Sequence, residues 1–194
     1  MIPPKTVLEQ EYERISRADL SGKSQQEIQE FKRVKKNYTR VLSSIQYKLE
    51  AQQMSYDALR GEKHKSKRLG RYMAQEGMHK PGSGFEAHAI ISGLDQRAAS
   101  LRVEMALKKI RIDDTDNGCW LPKSHKDAVG TQYPKAIPHR RIHTMRYYDW
   151  LANIAIPRAA MLTDTQFRAK LKSARAKLQS GIVAGLVLKA EGQK

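Results

Sequence analysis

The chain has 194 residues, a single cysteine, and 36 Lys and Arg against 20 Asp and Glu, giving a net charge of +16. That length holds one domain with a core, or a small domain with a helical extension, and lone Cys119 excludes a disulfide framework or a thiolate zinc site within the chain. The basic excess runs over the whole length, which predicts a folded basic face for a polyanion: nucleic acid, an anionic membrane surface or an acidic protein.

The N-terminus, Met1-Ile2-Pro3-Pro4-Lys5, lacks the apolar stretch of a secretory signal peptide. Residues 5–20 are expected to form a short helix with Val7, Leu8, Tyr12 and Ile15 on one side, broken at Ser21-Gly22. Ser24 followed three residues later by Glu27 is a capping-box signature. From there Ile28, Phe31, Val34, Tyr38, Val41, Leu42, Ile45 and Leu49 recur at spacings of three and four. They predict a long amphipathic helix reaching Leu59, before Gly61, whose apolar stripe needs a helical partner. Residues 60–84 carry glycines at 61, 70, 77, 82 and 84 and basic residues at 63, 65, 67, 68 and 71, and read as a connector. One short helical piece around Leu69, Tyr72 and Met73 is allowed inside it, and Pro81-Gly82-Ser83-Gly84 is the clearest boundary. His64 and His79 are assigned no chemistry.

Phe85 to Ile91 reads as a short strand, and Asp95 to Arg111 as a helix with Leu101, Met105 and Leu107 on its apolar side. Ile112-Asp113-Asp114-Thr115-Asp116 reads as a polar turn whose acids are structural rather than metal ligands. Cys119-Trp120-Leu121 reads as a second strand, stopped by Pro122, with Cys119 as a small buried residue. Residues 122–138 contain three prolines and one glycine and are expected to be an irregular loop, with His125 exposed in it. A helix begins between Pro138 and Thr144, carries Tyr147, Tyr148, Trp150, Leu151 and Ile154, and ends at or before Pro157. A last helix starts near Asp164 and holds Phe167, Leu171, Leu178, Ile182 and Leu186. The longest apolar run, Ile182 to Leu188, is too short to span a bilayer. The expected organisation is an N-terminal helical region with a basic connector (1–80), a unit built on the two strands and the helix after them (81–160), and a C-terminal helix packed on it (161–194).

Strand, strand and helix bear a histidine, an asparagine and a histidine pair in that order, which is the layout of a ββα-metal phosphodiesterase site. Neutral imidazoles suit a borderline divalent ion such as Zn²⁺ and, more weakly, Mg²⁺ or Mn²⁺. His139 and His143 are four apart and on a helix would share one face. If the helix begins only at Thr144, His139 lies in the loop and becomes a phosphate contact instead. His88 would supply a ligand from the strand, and Asn117 would orient the base or lend a hydrogen bond to the site. Arg140, Arg141 and Arg146 are expected to hold the phosphodiester and to stabilise developing negative charge, Arg146 as a catalytic residue, with Lys123 in the loop as a further nucleic-acid contact.

The runs Glu86-Ala87-His88-Ala89-Ile90-Ile91, Lys109 to Pro122, and His143-Thr144-Met145-Arg146-Tyr147-Tyr148 together resemble the AHH family of bacterial toxin nucleases, in the HNH/endonuclease VII superfamily, over about residues 84–155. The resemblance implies a mainly α fold with a small two-stranded ββα-metal, treble-clef-like core, a long N-terminal helix or helical hairpin, and a C-terminal helix. It implies metal-dependent endonuclease activity with one divalent ion, DNA favoured over RNA as substrate, and a cognate immunity protein. It also implies synthesis in a bacterial cytoplasm and delivery by a specialised secretion system, with a delivery module or chaperone as a further partner. By that resemblance His88 is the first-motif metal ligand and residue 89 the seat of the general base; His143, with help from His139, completes the expected ligand set. Here that seat holds Ala89, which cannot accept a proton, so the chain is expected to bind metal and nucleic acid and cleave poorly. An engineered change and a naturally impaired homologue both account for it. Two other readings compete: a non-catalytic basic nucleic-acid-binding protein, and a helical adaptor that takes an acidic partner through its 25–60 helix.

Overall fold

The computed structural model describes residues 17–183 together with Gln10, Arg14 and Ile15. Most of the helix expected over 5–20, and Leu186 at the other end, lie outside the described residues. Helix α1 (Gln25–Glu50) starts at the expected capping box: Ser24 and Glu27 satisfy each other's backbone N–H. It ends ten residues before Arg60, not near Leu59. The chain turns at residues 51–54, and Ser55 caps a separate short helix, α2 (Tyr56–Arg60), by accepting from the Ala58 N–H.

The segment expected to be a connector contains a ten-residue helix, α3 (Ser66–Gln75). Its Leu69 and Met73 are fully buried against Phe85, Ala87 and Ala89 of strand β1 (Phe85–Ala89) and Trp120 of strand β2 (Gly118–Pro122). Gly70 lets helix and sheet approach. A Cβ there would lie 2.9 Å from the Trp120 ring and 3.3 Å from the Ala87 Cβ. The two strands are antiparallel, with His88 opposite Cys119 and Ala89 opposite Gly118. Strand β1 stops at Ala89, two residues short of expectation, because Ile90 and Ile91 bond to Asn117 rather than to a ladder partner.

Helix α4 (Ala99–Leu107) follows a 3₁₀ turn and is shorter than the span expected over 95–111. It closes in a Schellman arrangement: Ile110 N–H donates to the Met105 carbonyl at 2.8 Å and Lys109 N–H to that of Ala106 at 3.1 Å, with Lys109 at φ +53°. Leu107 therefore sits at the helix end and is exposed. The supposed polar turn after it is buried. Asp114 and Asp116 both accept from Arg168 Nη1, at 2.8 and 2.9 Å, and Arg175 donates to the carbonyls of Thr115, Asp116 and Gly118. Those arginines belong to α7 (Asp164–Ser180), whose Phe167, Leu171, Ala174 and Leu178 join Ile90, Ile91, Cys119 and Leu121 in the main core. Burial pushes the Cys119 thiol up to about 12, so it is an inert core residue.

The 122–138 loop includes a four-residue helix, α5 (His125–Ala128), with His125 exposed. Helix α6 (Met145–Trp150) is capped by Thr144 and runs on as a π turn over Leu151–Ala155. Helix α7 stops where Gly181 takes the left-handed conformation, leaving Ile182 exposed beyond it. Among the described residues the protein is thus mainly helical around one two-stranded antiparallel sheet. Among the described residues no helix is long and apolar enough to cross a membrane.

Candidate metal centre

Side chains alternate along β1, so Phe85, Ala87 and Ala89 face α3 while Glu86 and His88 face the other way. His139 lies in a 3₁₀ turn (His139–Arg141) and His143 just ahead of the α6 cap. The pair is therefore not carried by one regular helix, as its four-residue spacing suggested. The turn nevertheless delivers both rings to His88. Ring centroids are 4.8 Å apart for His88 and His139, 5.4 Å for His88 and His143, and 4.9 Å for His139 and His143. One nitrogen from each of the three lies within 4.8 Å of the others.

The protons on these rings can be assigned from their partners. His139 Nδ1 lies 2.8 Å from Glu86 Oε2. That contact is the main reason the Glu86 carboxyl titrates below its ordinary range, so the carboxylate accepts and Nδ1 carries the proton. His139 Nε2 then turns a lone pair toward His143 Nε2, 2.9 Å away. Two imidazole nitrogens that close share one proton between two lone pairs, and a divalent cation can take that proton's place. On the other side Tyr147 donates its hydroxyl to the Ile90 carbonyl at 2.9 Å, so it accepts from His88 Nε2 at 3.1 Å and fixes that ring. Three neutral imidazoles with a carboxylate behind one of them are a donor set that fits a divalent ion.

Burial first, then the neighbouring His139 and His143, hold His88 well below its ordinary value of 6.5. The unfolded chain thus takes up a proton near 6.5 that the folded chain refuses, so this contribution to stability is complete above 6.5 and is lost as pH falls below it. In EDTA, the melting temperature should drop between about pH 7 and pH 5.5, above the carboxylate range, and the His88→Gln chain should show a flatter slope there.

The rings open onto a cavity of about 680 Å³. Residues from both faces of β1 line it, so it follows the strand's free edge, where Ser66 Oγ donates to the Ala87 carbonyl at 3.1 Å. Ala89 lines this cavity, as do Lys67, Lys80 and Lys123. Lys123 also stands 3.8 Å from Glu86. Arg140 and Arg146 are exposed and Arg141 half-buried; none of the three lines the cavity, and Arg141 Nη1 is 3.1 Å from His125 Nε2. Asn117 does not reach the cavity either. It is fully buried, accepting from the Ile91 N–H at 2.8 Å and donating to the carbonyls of Ile91 and Ile112 at 3.1 and 2.9 Å. Its place is beneath the strand that carries His88.

Sequence reasoning overlooked Glu86, Tyr147, Lys67 and His64. Glu86 was detectable as the residue two before His88 on the same strand face. Lys67 stood in the basic run at 63–71, and His64 was visible only as one histidine in an apparent connector.

No curated protein and no solved structure matches the chain. The family model for AHH, described as a nuclease family of the HNH/ENDO VII superfamily with conserved AHH, matches residues 69–182. That span takes in most of α3, both strands, the three clustered histidines and α7. With more than half of its length inside that model, the chain belongs to the AHH family of HNH/ENDO VII nucleases.

Proposed function

We propose that this chain is a metal-dependent endonuclease of the toxin type, acting on DNA in preference to RNA, and slowed by alanine at position 89. The observation that carries the reading is the convergence of His88, His139 and His143 on a lysine-lined cavity, in a member of a nuclease family. A divalent ion held by these three imidazoles would supply Lewis acidity to the scissile phosphate and to the departing oxygen. Glu86 orients His139 through Nδ1, and Tyr147 orients His88. Lys67, Lys80 and Lys123 neutralise the nucleic-acid backbone along the cavity, with Arg140, Arg141 and Arg146 as outer phosphate contacts. Asn117 acts by holding the end of β1 in place. Imidazole donors favour Zn²⁺ or Mn²⁺ in binding strength over Mg²⁺. A toxin of this kind implies a cognate immunity protein and a secretion system that delivers it, with the 25–60 helical region as the surface for one of these partners.

The test is cleavage of plasmid DNA and of a structured RNA by the Ala89→His chain, with Mg²⁺ and with EDTA. Cleavage that EDTA abolishes supports the reading. Salt-sensitive binding that is indifferent to EDTA, with no cleavage, supports a non-catalytic nucleic-acid-binding protein instead. A second expectation concerns Glu86. In Glu86→Gln the carboxylate behind His139 is gone, and affinity for the divalent ion should fall about 10- to 100-fold by isothermal titration. An unchanged affinity would remove Glu86 from the site.

A further inference from the structure

His64 and Asp113 form an imidazole–carboxylate pair that opens onto the same cavity as the histidine cluster. Asp113 is fully buried. Its Oδ2 accepts from Arg68 Nε at 2.6 Å and from the Lys65 backbone N–H at 3.0 Å, and its Oδ1 meets His64 Nδ1. A carboxylate paired with Arg68 only accepts, so the His64 proton sits on Nδ1 and its lone pair on Nε2. Among the described residues His64 Nε2 has no hydrogen-bond partner, and the side chain is 23% exposed. The seat of this ring is built into the chain. At Gly93 a Cβ would lie 2.7 Å from the His64 Cβ and 3.2 Å from its backbone nitrogen, so only glycine fits opposite it. His64, Ser66 and Lys67 all border the cavity that Ala89 borders from the strand.

We propose that His64 Nε2 is the proton acceptor of this chain, taking over the role left vacant at position 89, with Asp113 as the positioning residue that fixes its tautomer. This rests on the nuclease reading above. The water oxygen forms a bond to phosphorus and the bond from phosphorus to one sugar oxygen breaks. The water proton passes to His64 Nε2, and the sugar oxygen leaves with the electron pair and takes a proton from solvent. His64 then returns its proton to bulk water. A positioned base of this kind contributes about 10²- to 10⁴-fold.

The experiment is plasmid nicking in Mg²⁺ by the full chain and by His64→Ala, Asp113→Asn, Ala89→His and the His64→Ala/Ala89→His double variant. Melting temperature and DNA affinity are followed in parallel. The expected results are slow EDTA-sensitive nicking by the unaltered chain and a fall of about 10²-fold or more in His64→Ala with DNA affinity retained. Free imidazole should restore part of the loss in His64→Ala, and histidine introduced at position 89 should restore the rate in full or exceed it. Asp113→Asn tests positioning. If that buried change unfolds the protein, His64→Ala and its chemical rescue still decide the matter, because a purely structural histidine would not be rescued by imidazole in solution. Cleavage by His64→Ala at the unaltered rate overturns the proposal. So does cleavage by Ala89→His from a chain that shows none unaltered, an outcome that leaves the nuclease reading intact. Absence of cleavage by every variant, Ala89→His included, overturns the nuclease reading itself.

Discussion

Placing histidine at position 89 should accelerate plasmid nicking in Mg²⁺ by about 10²-fold or more, the lower end of what a positioned base contributes. The argument is local. Ala89 is the residue after His88 on β1 and borders the same cavity, yet its methyl group cannot take a proton. It is 5% exposed and packs with Leu69, Met73, Phe85 and Trp120, so the larger ring must project along the free edge of the strand into the cavity. The six other buried residues of that cluster supply the rigid floor that a catalytic side chain needs. Initial rates under saturating metal, compared at equal fraction folded, check the prediction. An unchanged rate would deny position 89 any part in proton transfer.

Asn117→Ala should destabilise the protein by about 2–4 kcal/mol, a large effect for one side chain. The amide makes three hydrogen bonds to backbone atoms of Ile91 and Ile112, and all its own atoms are buried. Alanine would remove the amide from the buried Ile91 N–H and from the Ile91 and Ile112 carbonyls. Chemical denaturation with an unchanged m-value measures the loss directly. A loss below about 1 kcal/mol would mean that those backbone groups find other partners. Because Ile90 and Ile91 follow the strand that carries His88, the same variant should also weaken binding of a divalent ion, through position rather than through contact.

Local signals in the sequence were readable, and long-range ones were not. The box at Ser24 and Glu27 is satisfied within three residues of itself and stands as read, whereas β2 runs one residue further at each end than Cys119–Leu121, to Gly118 and Pro122. The end of α1 was missed because Ala51-Gln52-Gln53-Met54 are good helix formers, and only Ser55, the cap of the next helix, marks the break. The end of α4 was missed because Lys109, not glycine, occupies the left-handed position. Gly181 did mark the end of α7, but the apolar residues beyond it continued the helical spacing. The histidines at 88, 139 and 143 stood out by type and order, and their rings come together. The burial of Asp113, Asp114 and Asp116 could not be read locally. Their partners Arg68 and Arg168 lie 45, 54 and 52 residues away, and a run of acids near a turn has no sequence mark of burial. The same distance hid His64, whose partner is 49 residues downstream.

The most direct measurement is a calorimetric titration of Zn²⁺ or Mn²⁺ into the full chain at neutral pH. One ion per chain is predicted, with binding lost when His88, His139 or His143 is replaced singly by alanine and the folded state is kept. Absence of binding, or binding that survives all three replacements, would contradict the account.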